Sequence, residues 1–215
     1  MLDKPFFHKL NLIADWILRI VTLNLFLIIA TLGIVTLYPG IYASYHLFKD
    51  WRYGTHTPIF SGFWTYFKEN FKQKISISLI LVIVLVIGIY SMITYNDFIK
   101  TSEDLIYLIG YYVVMIFLIG FVLVTLFTIP ILLYFKQASL TNVYKLSLYI
   151  MARYFYITVV VSILWIIPLL LLLSPRLMVI YVIAGLSLTV LLWLLISGPI
   201  FKFLERISKH VQTRD

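Results

Sequence analysis

The sequence contains no cysteine, which removes disulfides, thiolate metal sites and cysteine nucleophiles from consideration. Charge is scarce. Only 12% of the 215 residues are Asp, Glu, Lys or Arg, where a soluble domain carries about a quarter. Acids are the rarer sign, 9 against 17 bases, for a net charge of +8. No long polar stretch exists: the longest, from Tyr38 to Ile75, is itself rich in aromatics. Catalytic patterns are missing too. There is no Gly-rich phosphate loop and no serine nucleophile elbow, and His8, His46, His56 and His210 are too scattered for a zinc motif. The expectation is a protein with no catalytic, cofactor-binding or metal-ligating residues, which is not an enzyme.

What the chain does have is apolar bulk, with 62% hydrophobic residues and a mean hydropathy of +1.02. A soluble fold of this size could not hide so much apolar surface, so lipid must solvate most side chains. Five apolar stretches stand out, at about 16–38, 75–95, 105–135, 156–173 and 177–203. Backbone polar groups in lipid must be satisfied internally, and the alternating pattern of a barrel is absent, so these are helices. The predicted fold is all-α: a polytopic membrane helix bundle of about five transmembrane helices with amphipathic interfacial helices, forming a single transmembrane domain over 1–215. The start, MLDKPFFHKLNLIADWILRI, does not read as a cleavable signal peptide, since acids interrupt its apolar run. Whether this N-terminal helix spans or lies in the interface stays open. The basic balance points to residues flanking membrane helices rather than to nucleic acid.

Five spans put the termini on opposite sides. One side holds the connectors 39–74 and 136–155 and the C-terminus, with twelve basic residues including Lys49, Arg52 and Arg214. The other holds Lys4, Lys9, Arg19, Lys100 and Arg176, together with the acids Asp97, Glu103 and Asp104. The positive-inside rule then predicts a cell-membrane protein with its N-terminus outside and C-terminus cytoplasmic. Lys4, Lys9 and Arg19 pull the other way.

Both connectors show amphipathic periodicity. Thr57-Pro58 reads as an N-cap followed by proline at the first helical position. Phe60, Trp64, Phe67 and Phe71 then recur at spacings of four, three and four, with Glu69, Lys72 and Gln73 opposite. Leu140, Val143, Tyr144, Ser147 and Met151 form a weaker stripe, and Phe6, Leu10, Ile13 and Ile17 another. Each reads as interfacial packing or as a docking surface, for which Trp64, Phe67, Asn70 and Phe71 are the candidates. Pro39, Pro130 and Pro199 close the first, third and fifth apolar stretches in similar local contexts. This outlines a parallel repeat of span, proline break, amphipathic connector and span. Within the spans the polar group to note is Asp15, Arg19 and Asn24. Asp15 and Arg19 are four apart and share a helix face, where they can pair.

The run Gly40-Ile41-Tyr42-Ala43-Ser44-Tyr45-His46-Leu47, then Gly54, then Phe63-Trp64-Thr65-Tyr66-Phe67-Lys68-Glu69-Asn70-Phe71-Lys72-Gln73 resembles the YesL-like family of bacterial membrane proteins, a domain of unknown function. The signal is concentrated in residues 20–75. Members are commonly encoded beside ABC-type sugar importers. The resemblance therefore implies an accessory or assembly role in carbohydrate uptake, with sugar ABC transporter subunits or self-association as partners besides the lipid bilayer, and no nucleic acid. It supplies no site residues. The alternatives are a small autonomous transporter or channel, or a membrane-bound regulator of transport.

Overall fold

A computed structural model of the chain describes residues 4–102 and 104–212. Glu103 and Arg214, used above in weighing orientation, lie outside the described residues, as do the side chains of Lys4 and Phe6. Every regular element is helical: α1 (Lys4–Leu32), α2 (Leu37–Arg52), α3 (Ile59–Lys68), α4 (Phe71–Thr101), α5 (Leu105–Tyr134), α6 (Leu140–Arg153), α7 (Phe155–Leu171), α8 (Pro175–Ile180), a π-helical turn (Tyr181–Gly185), α9 (Leu186–Ile196) and α10 (Gly198–Gln212). Among the described residues four segments are long and apolar enough to cross a membrane: Lys9–Leu32, Phe71–Thr101, Leu105–Tyr134 and Pro175–Ile196. The pair α6 and α7, bent sharply at Tyr154, makes a fifth if taken as one broken span. The chain is thus a multi-pass, all-α membrane protein.

It divides into two compact units, 1–71 with 159–198, and 72–158 with 199–215. In the first, α1 ends at Gly33, where Ile34 sits at φ +42°. A β-branched residue rarely tolerates that left-handed backbone, and here it turns the chain. Thr36 donates its hydroxyl to the Ala30 carbonyl at 2.8 Å, satisfying the frayed end of α1. Helix α2 then doubles back along α1. At its start Gly40 lies against Leu27 and Ala30, and at its end Trp51 meets Trp16 edge-on with centroids 6.4 Å apart. Sixteen residues at about 1.5 Å each carry α2 back along most of the apolar part of α1. It is the core of this unit, with Tyr38, Tyr42, Tyr45, Leu47, Phe48 and Trp51 buried. Within the expected connector 39–74, α2 is therefore largely interior to this unit, while most of α3 stays at least partly exposed. Gly54, at φ +82°, ends α2 in the left-handed conformation that glycine adopts without cost. Helix α3 returns antiparallel to α2, with Gly62 packed on Leu47.

The prolines act differently from the expectation. Pro39 lies in the first turn of α2 and Pro199 in the first turn of α10, so each opens a helix rather than closing a span. The first turn lacks intrahelical partners for its N–H groups, so proline costs little there. Pro130 lies inside α5, which continues to Tyr134. The fifth apolar run is interrupted at Ser197, and residues 198–203 belong to α10. Helix α3 begins one residue later than expected. Pro58 occupies the cap position, and Thr57 turns its hydroxyl to Asp50 instead of capping.

In the second unit α6 packs antiparallel to α5. The Ser147 hydroxyl donates to the Val124 carbonyl and Tyr144 stacks on Phe121. Ser139 caps α6, accepting from the Asn142 N–H at 3.4 Å. A Cβ on Gly88 of α4 would overlap the Leu118 side chain of α5, so glycine lets these two helices approach closely. Helix α10 presents Phe201 and Leu204 inward and Lys202, Arg206 and Lys209 outward.

Candidate functional site

Among the described residues, the first unit gathers a set of long-range polar contacts around α1, α2 and α3. Asn24 of α1 is fully buried. Its Nδ2 donates to the carbonyls of Tyr181 and Val182, each at 2.8 Å. Its Oδ1 accepts from the N–H groups of Leu186 and Ser187, at 2.9 and 3.0 Å. One carboxamide thereby uses both donors and both lone pairs of its acceptor. The groups it satisfies belong to the π turn and the start of α9, where the regular ladder is disrupted and backbone groups need outside partners. The Ser187 hydroxyl adds a bond to the Ile20 carbonyl at 2.7 Å. Asn24 is therefore a clamp on the break between α8 and α9, not a lining for a polar path.

Asp15 and Arg19 do pair, at 2.6 Å. The Arg19 guanidinium lies 4.6 Å from the Trp51 ring centroid and 5.5 Å from that of Trp16. Tryptophan and arginine favour the membrane–water boundary, where an apolar body and a polar tip are both solvated. This group ties the last turn of α2 to the first half of α1. It is separate from Asn24, so the three polar residues of the first span form two sites.

At the tip of the α2–α3 hairpin, Asp50 is a hub. Its Oδ2 accepts from the Thr57 hydroxyl at 3.0 Å and from the Tyr66 hydroxyl at 2.5 Å. Trp51 Nε1 donates to the Thr57 carbonyl at 2.8 Å. His46 stacks on Tyr42 with rings nearly parallel and meets Tyr66 edge-on at 3.7 Å. At the far end of the hairpin the Tyr42 hydroxyl donates to Glu69 Oε2 at 3.3 Å. Burial, then the hydrogen bond to the Asp50 carboxylate, push the Tyr66 phenol up to about 12. Burial first, and then Glu69, raise Tyr42 well above the ordinary phenol range. Both hydroxyls stay protonated donors at neutral pH, so this network holds geometry. Arg52 donates to the Leu194 and Leu195 carbonyls at 3.2 and 3.5 Å, capping the last turn of α9. Among the described residues no three His, Asp or Glu side chains come together as metal ligands.

Helix α3 carries an aromatic ridge on this scaffold. Phe26 of α1 meets Phe60 and Phe63 at 5.3 and 4.7 Å, and the series continues Phe63, Trp64, Phe67, Phe71 at 5.5–5.9 Å. Phe63 is buried, while Phe60 and Trp64 remain 65% and 49% exposed. Asn70, at φ +45°, breaks the chain between α3 and α4, a conformation asparagine adopts more readily than other non-glycine residues. Trp64, Phe67 and Phe71 are thus brought together, with Asn70 in the break between α3 and α4. Pro130 and Pro199 lie in the other unit, where the Tyr154 hydroxyl donates to the Pro199 carbonyl at 3.5 Å. The sequence reading did not single out Asp50, and it gave Thr57, Arg52 and Tyr66 other places: an N-cap, a basic flank and a position in the family motif. The only local signal was an acid, Asp50, in a segment otherwise aromatic and basic.

No curated protein and no solved structure matches the chain. A family model described as a protein of unknown function, DUF624, matches residues 20–92, the stretch that contains Asn24, the α2–α3 hairpin and most of α4.

Proposed function

We propose that this protein is an accessory or assembly component of a bacterial ABC-type carbohydrate uptake system, docking a membrane partner on the ridge of α3. The observation that carries this is the pairing of a rigid scaffold with exposed aromatics. The Asp50 hub and the Phe26–Phe63 contact hold α3 in place, while Phe60, meeting Phe26 edge-on, and Trp64 keep large exposed faces. Tryptophan and phenylalanine on a preorganised helix are suited to act as interface anchors. The resemblance of residues 40–73 to the YesL-like family supplies the sugar-import context. In this reading the N-terminus is outside and the C-terminus cytoplasmic. Lys49 and Arg52 lie toward the Trp16 end of α1, which changes the basic count from twelve against five to ten against seven, and the bias keeps its direction.

The test is affinity purification of the tagged chain from its native membrane in mild detergent. A permease, ATPase or solute-binding protein of a sugar importer should co-purify, and Phe60→Ala with Trp64→Ala should release it while leaving thermal stability close to wild type. Recovery of the protein with none of these components would overturn the proposal.

A further inference from the structure

The second unit contains a cleft that the docking proposal does not use. It has a volume of about 510 Å³ and is bounded by the end of α5, the connection to α6, α6 itself and α10. That lies within the roughly 300–1,000 Å³ range of small-molecule sites. Its walls are apolar, formed by Ile131, Phe135, Val143, Leu146 and Ile207, and one cation, Lys145, lines it with Asn142. The frame is fixed by hydrogen bonds. Gln73 Nε2 donates to the Ala138 carbonyl at 2.8 Å, and Ser139 caps α6 by accepting from the Asn142 N–H at 3.4 Å.

This lining selects its ligand. A sugar would leave its hydroxyls against aliphatic side chains without partners. A free inorganic anion would find a single flexible ammonium and little else. A molecule with a long apolar part and one anionic group is served by both features. Lys145 is exposed and has no ion pair among the described residues, and its aliphatic stem can lie along the apolar wall while the ammonium stays at the rim. Helix α10, which supplies Ile207, carries Lys202, Glu205, Arg206 and Lys209 on its outer face; Glu205 pairs with Lys209 at 2.8 Å, and Lys202 and Arg206 leave this face net positive, which favours anions. Helix α5 is long and apolar enough to cross a bilayer, which places such amphiphiles at high local concentration.

We propose that this cleft binds an anionic phospholipid, with an acyl chain against Ile131, Phe135, Val143, Leu146 and Ile207 and the phosphate on Lys145. This site is independent of the transport partner.

The test uses the purified full chain in mild detergent, titrated separately with phosphatidylglycerol, phosphatidylcholine and inorganic phosphate, with bound lipid counted by native mass spectrometry. Phosphatidylglycerol should be retained in preference to phosphatidylcholine, and inorganic phosphate should not compete with it. Lys145→Gln, an exposed substitution that leaves the fold intact, should weaken phosphatidylglycerol about fivefold and bring the two lipids level. Leu146→Trp, which fills the cleft, should reduce both. Equal retention of the two lipids by the wild type, displacement by inorganic phosphate, or unchanged phosphatidylglycerol binding in Lys145→Gln would each overturn the proposal.

Discussion

The two units hold their helices together by different means. In the first, side chains reach across large sequence separations to bind backbone: Asn24 to the 181–187 segment, Ser187 to Ile20, and Arg52 to the end of α9. In the second, close apolar packing is the larger share, with Gly88 under Leu118, Tyr144 on Phe121 and Tyr134 near Phe201, and the side-chain bonds to backbone are fewer: Ser147 to Val124, Gln73 to Ala138 and Tyr154 to Pro199. The difference follows from helix regularity. The first unit contains two interruptions, at Gly33–Thr36 and at the π turn, and each exposes backbone groups that lipid cannot satisfy. The helices α5 and α6 of the second unit are continuous and need little such help.

If this contrast is real, Asn24→Leu should be the most damaging single change. It orphans two carbonyls and two N–H groups in a buried site, and the expected loss is about 2–3 kcal/mol, read as a fall in melting temperature in detergent. Asn24→Asp keeps the acceptor and loses the donor, and should fall between leucine and wild type. Next is Asp50→Asn, which removes the charge from the hairpin hub, at an expected cost of about 1 kcal/mol. The same variant should bring the Tyr66 phenol from about 12 back toward its ordinary value near 10, seen by ultraviolet titration. The sign is definite. The folded chain holds the Tyr66 proton more tightly than the unfolded chain does, so this contribution is complete below about pH 10 and is lost as pH rises through about 12. The smallest effect belongs to the second unit. Ser147→Ala removes one interhelical hydrogen bond beside an otherwise apolar contact and should cost about 0.6 kcal/mol. A cost equal to that of Asn24→Leu would erase the contrast.

Much of the fold was legible because hydropathy is a strong and local signal. The long apolar helices follow directly from runs such as 75–95, whereas the Phe60–Phe71 stripe marked the exposed ridge of α3 and crossed into α4, and the side chain α3 buries, Phe63, lay outside it. Helix breaks were less legible. Pro39 and Pro199 marked the right neighbourhoods, but proline is tolerated in a first turn as readily as it follows a last one, so pattern alone could not say which side of each break it occupied. Ile34 gave no warning, since a β-branched residue at positive φ runs against its own preference. The chemistry of the candidate site was half legible. Asn24 stood out as a polar residue in an apolar span, but its partners lie 157 or more positions away and are backbone atoms, which carry no residue-type signature. The cleft was invisible for a different reason. Apart from Ile207, its lining lies within residues 131–146, and its shape depends on how α6 turns back along α5, which apolar sequence there does not announce.

The Asn24 clamp also bears on the order of events during synthesis. The helix that carries it is made early, and its most distant partner, Ser187, follows 163 residues later. At about 5–20 residues per second this delay is roughly 10–30 s. Throughout that interval the first helix has left the ribosome with a carboxamide whose final partners do not yet exist. The earliest apolar helix to be synthesised is thus among the last to be secured, and until residue 187 is made it depends on water, on a temporary neighbour or on the insertion machinery to shelter Asn24.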